Sequence, residues 1–132
     1  MQEKGRYLDI SRAFCHKTYR YGRKIAMHSG SQQNVVQELS ERIGSGPAIA
    51  ETVPTALGIL ISNQGRTMES IYDAVNIGDE TSAIGCIVGA VAGAFRGADS
   101  ITEGYLEIIE KENKMDLCSQ AERIEKLWGN IS

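Results

Sequence analysis

Asp79, Glu80, Thr81 and Ser82 place two carboxylates and two hydroxyls on four consecutive positions, directly ahead of the apolar stretch Ala83–Phe95. Oxygen donors on a rigid helix start are what a hard cation needs. The same residue types are good helix caps, and acids complement the positive end of a helix dipole, so on composition capping stands ahead of metal binding. A second group, Gly44-Ser45-Gly46 before Pro47, offers backbone N–H groups at a helix start, where phosphate can bind. Glycine is also routine in turns between helices, and the pair alone is a weak signal. Cys15-His16 with His28 could form a metal or thiol site, but two histidines on a basic helix read more simply as surface residues.

The elements that must position these groups read as helices throughout. The first is expected over residues 8–27, stopping at Gly30. Ser31 can cap a second with Val35, Val36, Leu39 and Ile43 on its apolar stripe. Pro47 suits the first turn of a third, which continues to about Ser62 with Pro54 bending it. Thr67 is expected to cap a short helix with Met68, Ile71, Tyr72 and Val75 inward, and Asp79 to cap the next. Ser100-Ile-Thr-Glu103 has capping-box spacing, and a last helix is expected over 116–128. No alternating strand pattern occurs, so the fold class is all-α, a compact multi-helix domain. Its centre is expected in the Gly/Ala-rich helix 80–96, where Gly85, Gly89, Gly93 and Gly97 recur every four residues. Each glycine costs about 1 kcal/mol against alanine in a helix, which close approach of another backbone would offset.

Charge and composition bound the rest. The chain has 132 residues and three widely spaced cysteines, Cys15, Cys86 and Cys118, which suggest neither a disulfide framework nor a zinc ribbon. No signal peptide or spanning segment is evident, and a cytoplasmic location is expected, with no membrane partner. Residues 1–28 hold seven Lys/Arg against Glu3 and Asp9, a balance of +5 in a chain whose net charge is −3. Tyr7, Phe14, Tyr19 and Tyr21 lie among these cations, so an RNA-binding arm is one reading. The other is an amphipathic helix with Ile10, Phe14, Tyr21 and Ile25 buried. Helical spacing and the lack of a nucleic-acid motif favour the second, and nucleic acid is not expected as a partner.

The segment Asn76-Ile-Gly-Asp-Glu-Thr-Ser-Ala-Ile-Gly, with the small-residue helix closing at Gly97, resembles the C-terminal signature of ADP-ribosylglycohydrolases, roughly N-x-G-G-D-T-D-T-I-A. Gly44-Ser-Gly-Pro-Ala-Ile-Ala-Glu-Thr-Val-Pro-Thr-Ala-Leu57 resembles the family's G-x-G…E-x-x-P-x-A segment. The resemblance spans about residues 33–128. It implies a partial ADP-ribosylglycohydrolase fold over 31–132, preceded by a basic helix over 1–30 that it does not place. It also implies hydrolysis of a glycosidic bond by a water positioned with Mg²⁺, or Mn²⁺ in its place. Metal ligands would come from Glu80, Ser82 and Asp79, and ADP-ribose would be bordered by Gly44, Ser45, Gly46, Asn76 and Gly78.

Two departures accompany it. Aligned on Thr81, the family's Asp-Thr-Asp-Thr becomes Glu80-Thr81-Ser82-Ala83, a donor set poorer in charge. The family's N-terminal Gly-Asp-Ala and Thr-Asp-Asp motifs have no counterpart. The expectation is therefore a truncated relative with a degenerate metal motif, weak for Mg²⁺ and of little or no activity alone. Its partners would be ADP-ribose or an ADP-ribosylated target, together with itself or a helical partner supplying the missing half. A non-catalytic nucleotide-binding module and an interaction subunit are the alternatives.

Overall fold

The computed structural model describes residues 3–28 and 30–129, with side chains from His16 onward. The expected burial of Ile10 and Phe14, and Cys15 of the Cys15-His16 pair, lie outside the described residues. Seven α-helices and one short 3₁₀ turn make up the described chain, which contains no strand. The fold is all-α. Two compact units are distinguished, Met1–Ser100 and Ile101–Ser132.

In the first unit, α1 (Glu3–His28) is followed by α2 (Gln32–Arg42), whose N-cap Ser31 accepts a hydrogen bond from the Asn34 N–H. Val35, Leu39 and Ile43 are buried, as the apolar spacing requires, and Val36 packs at their edge. Helix α3 (Ile49–Ser62) is enclosed most fully, burying Thr52, Pro54, Thr55, Ala56, Gly58, Ile59 and Leu60. Pro47 does not open it. The N-cap is Ala48, whose carbonyl accepts from Glu51 and Thr52 N–H, while Pro47 lies exposed in the loop ahead. Pro54 sits inside the helix, and α1 approaches there: a Cβ on Gly22 would lie 3.1 Å from the Pro54 carbonyl oxygen.

Helix α4 (Thr67–Asn76) is rotated from its expected orientation. Thr67, Ser70 and Ala74 are buried, whereas Tyr72 and Val75 are 47% and 51% exposed. The hydroxyls are satisfied internally: Ser70 Oγ donates to the Arg66 carbonyl, and Thr67 Oγ1 meets Ser100 Oγ at 2.7 Å. Satisfied small residues let a helix approach closely without the cost of an orphaned polar group. Asp73 fastens α4 further, its Oδ2 accepting from Gln32 Nε2 and Asn63 Nδ2, both at 2.7 Å.

Helix α5 (Thr81–Arg96) packs on α3 and α4 through Ile84, Val88 and Ala92, all fully buried. Its glycines admit side chains rather than a backbone. A Cβ on Gly85 would meet Val75 Cγ1 at 3.8 Å and one on Gly89 would meet Ile71 Cδ1 at 3.9 Å, while Gly93 faces open space. Gly97, at φ +84°, ends the helix, and Arg96 hydrogen-bonds the Gln64 and Gly65 carbonyls. Ser100 opens no capping box. Its Oγ donates to the Gly97 carbonyl, closing the 3₁₀ turn Ala98–Ser100, and this removes it from the helix that follows.

The second unit holds α6 (Glu103–Asn113), preceded by Thr102 with no side-chain cap, and α7 (Leu117–Gly129). Lys114 turns the chain in a left-handed conformation, Glu110 accepts from the Leu117 N–H, and Asp116 caps α7 through the Ser119 N–H. Neither helix contains a fully buried residue, and Ile108, Ile124, Leu127 and Trp128 are exposed. Cys86 and Cys118 are free and exposed. No described helix is long and apolar enough to cross a membrane.

Candidate functional site

The glycine loop and the acidic turn, 34 residues apart in sequence, meet in the structure. Ser45, 1% exposed, donates from Oγ to Asp79 Oδ2 at 3.0 Å, and its carbonyl accepts from the Glu80 N–H at 2.9 Å. A side-chain bond and a backbone bond thus hold the start of α5 against the end of α2. Ser40 Oγ lies 3.4 Å from Ser45 Oγ on the other side.

The loop is braced from α3. Gly44 takes φ +104°, a conformation that strains any residue with a Cβ, and its carbonyl accepts from Thr55 Oγ1 at 2.7 Å. Thr52 Oγ1 reaches the Gly46 carbonyl at 2.9 Å. Glu51 folds back so that Oε2 accepts from the Gly46 N–H at 3.1 Å, filling the space where a Cβ on Gly44 or Gly46 would go, 2.7 Å from that oxygen. The Glu51 carboxylate packs over both glycines, and at Gly44 the positive φ adds a second reason for glycine.

This changes what the loop offers. The Gly44 N–H is engaged by the Leu39 carbonyl and the Gly46 N–H by Glu51, so neither stands free for phosphate. A carboxylate on a backbone N–H already occupies the place of an anion.

In the acidic turn, Asn76 ends α4 and returns its side-chain N–H to the Tyr72 carbonyl at 2.7 Å. Gly78 (φ +96°) has open space on its Cβ side, and Asp79 takes the left-handed φ of +52°. Asp79 does not cap α5. Glu80 is the N-cap residue and makes no side-chain cap bond, and the Asp79 carboxylate accepts from Ser45. Ser82 is exposed on the first turn of α5 and Glu80 is half-buried.

As a metal site the turn is poor. One carboxylate is committed to a serine, one ligand position is a neutral hydroxyl, and no group of three or more His, Cys, Asp or Glu that could hold a metal occurs among the described residues. These residues alone do not fit Mg²⁺. Sequence reasoning missed Glu51, Thr52 and Thr55 as the braces of the loop. The signal was present, since Glu51 opens the E-x-x-P-x-A segment.

The described helices thus clasp a G-x-G loop against an acidic helix start. The chain belongs to the ADP-ribosylglycohydrolase family, which it matches over residues 3–131. It is similar to the ADP-ribosylhydrolase ARH3 of Homo sapiens, 25% identical over 120 residues (83% of this chain, 32% of that protein). It is also similar to ARH3 of Danio rerio, 30% identical over 98 residues (67% and 25%), and to the uncharacterized protein YegU of Escherichia coli, 23% over 103 (78% and 31%). The chain spans about a third of the length of the first of these relatives. No solved structure matches it.

Proposed function

We propose that this chain supplies the glycine-loop and acidic-turn side of an ADP-ribosyl hydrolase cleft, and that hydrolysis needs a second polypeptide segment facing it. The observation that carries this reading is the joining of Ser45 to Asp79 and Glu80. It brings the two family-like segments to one place.

The reaction breaks the bond between the anomeric carbon of ADP-ribose and its leaving group. Water supplies the new C–O bond, and one of its protons accompanies the leaving group. The part taken by this chain is orientation. The Glu51-lined edge of Gly44–Gly46 accepts sugar hydroxyls, Asn76 and Gly78 border the ligand, and Glu80 presents a carboxylate toward the cleft. Asp79, Glu80 and Ser82 would hold Mg²⁺, the cation implied by the family resemblance, only together with carboxylates from the facing segment. Exposed Tyr72, Val75, Val91 and Phe95 give that segment apolar surface to cover. A purely ADP-ribose-binding role is the second reading, favoured by the commitment of Asp79 to Ser45.

The test is release of ADP-ribose from an ADP-ribosylated protein. The chain alone in Mg²⁺ is expected to release none, and calorimetry to show no saturation by Mg²⁺ at about 1 mM, the weak end for hard-cation sites. Adding a helical polypeptide that carries a Thr-Asp-Asp segment is expected to produce metal-dependent release, abolished by Glu80→Gln. Rapid release by the chain alone would overturn the requirement for a second segment. ADP-ribose binding with no release under any combination would leave the binding module.

A further inference from the structure

On the side of the first unit formed by α1 and the end of α2 lies an open hollow of about 560 Å³. Lys17, Arg20 and Lys24 line it from α1 and Arg42 from the last turn of α2. No ion pair joins Lys17, Arg20 or Lys24 to another described residue. Arg42 is held in place: its Nη1 donates to the Tyr21 hydroxyl at 3.1 Å and its Nε lies 3.5 Å from Glu38. That hydrogen bond, with the charge of Glu38 beside it, raises the Arg42 pKa further above its ordinary value.

Tyr21 decides what the hollow suits. The amphipathic reading of this helix buries it with Ile25. Instead Ile25 is buried and Tyr21 is 44% exposed. With Lys24 it also lines a second hollow of about 350 Å³, shared with Ile25, His28 and Glu38. The ring therefore stands between two recesses, each within the usual size range of small-ligand pockets. The three α1 cations recur at helical spacing over seven residues, a run of about 10 Å at 1.5 Å per residue. Charges strung along a line, rather than converging on one point, match a chain of phosphates. An aromatic ring fixed among them offers a stacking surface for a base.

We propose that the Lys17–Arg20–Lys24 face of α1, with Arg42 and Tyr21, binds the backbone of a single-stranded nucleic acid, one base stacking on Tyr21. The rest of the chain is acidic, and Glu38 and Glu41 flank Arg42. This confines attraction to a strip and disfavours general polyanion binding. The site is independent of the hydrolase reading and its test involves no hydrolysis.

The experiment is fluorescence anisotropy of a labelled twelve-nucleotide single strand titrated with the whole chain. Three phosphate contacts give a log–log salt slope near −2, so affinity should fall roughly 15- to 20-fold between 50 and 200 mM salt. K17A/R20A/K24A is expected to weaken binding at 50 mM salt by about tenfold or more. K111A/K114A/K126A, an equal charge change on α6, its following turn and α7, should leave it within about twofold, and circular dichroism should show helicity retained in both. Tyr21→Leu is expected to cost about fivefold or more with the salt slope kept, and Tyr21→Phe, which keeps the ring but loses the hydroxyl on Arg42, to cost less than half as much. Absence of binding at low salt, equal weakening by the two triple variants, or tighter binding to a polyglutamate of matched charge would overturn the proposal.

Discussion

Leu39→Ala is expected to destabilise the Met1–Ser100 unit by about 2–5 kcal/mol, a large share of the total stability of a domain of this size. Leu39 has no exposure and stands between two glycines on flanking helices. A Cβ on Gly58 of α3 would come within 2.7 Å of its Cδ2, and one on Gly22 of α1 within 3.8 Å of the same atom. The leucine fills the space those residues leave, so truncation opens a cavity where three helices meet. Leu39→Met, which keeps the volume, should cost less than about 1.5 kcal/mol. Urea unfolding checks both, read as a lower midpoint at unchanged slope.

Gly44→Ala is expected to cost about 2–4 kcal/mol and to open the loop. A side chain at φ +104° carries strain of about 1–3 kcal/mol. Its Cβ would also press on Glu51 Oε2, Cδ and Cγ at 2.7–3.0 Å, driving the carboxylate off the Gly46 N–H. Gly93→Ala makes the contrast. It faces open space in a helix interior, and alanine there should stabilise by about 0.5–1 kcal/mol. The same unfolding measurement separates them. A Gly44→Ala protein as stable as the parent would mean that Glu51 does not clasp the loop.

The helical class and most helix boundaries were legible because apolar spacing and breakers agree, as at Ser31, Gly44–Gly46 and Gly97. The face of α4 was not. Hydropathy points Tyr72 and Val75 inward, but Thr67, Ser70 and Ala74 are buried, since a hydroxyl with a partner costs little and takes little room. No hydropathy scale registers the Arg66 carbonyl or Ser100 as that partner. The glycine stripe of α5 promises close approach of another backbone, but a Cβ on Gly85 or Gly89 would make only ordinary contacts and Gly93 and Gly97 have none. The neighbour over Gly85 and Gly89 is the Ile71 and Val75 side chains of the rotated α4 rather than a backbone.

For the candidate site, the residue types and the two segments were legible, but their joining was not. Ser45 and Asp79 are 34 positions apart, and only the packing of α3 and α5 brings them within a hydrogen bond. Asp79 has the residue type of a cap, but it sits one residue ahead of the N-cap Glu80 in a left-handed conformation with its carboxylate on Ser45. Pro47 looked like a helix start, yet the chain needs residues 44–48 to turn around Glu51 before α3 begins. At Asp79 a tertiary hydrogen bond won over a local preference, and at Pro47 a bond between residues five apart did.

The most direct test of the central claim, that Gly44–Gly46 and Asn76–Ser82 form one face for ADP-ribose, is an amide-resolved NMR titration of the chain with ADP-ribose to about 5 mM, the weak end of specific binding. Shifts are expected at Gly44, Ser45, Gly46, Glu51 and residues 76–82, lost together in Ser45→Ala, with α6 and α7 undisturbed. Shifts confined to Lys17–Lys24 or to Glu103–Gly129, or no shifts at all, would contradict it.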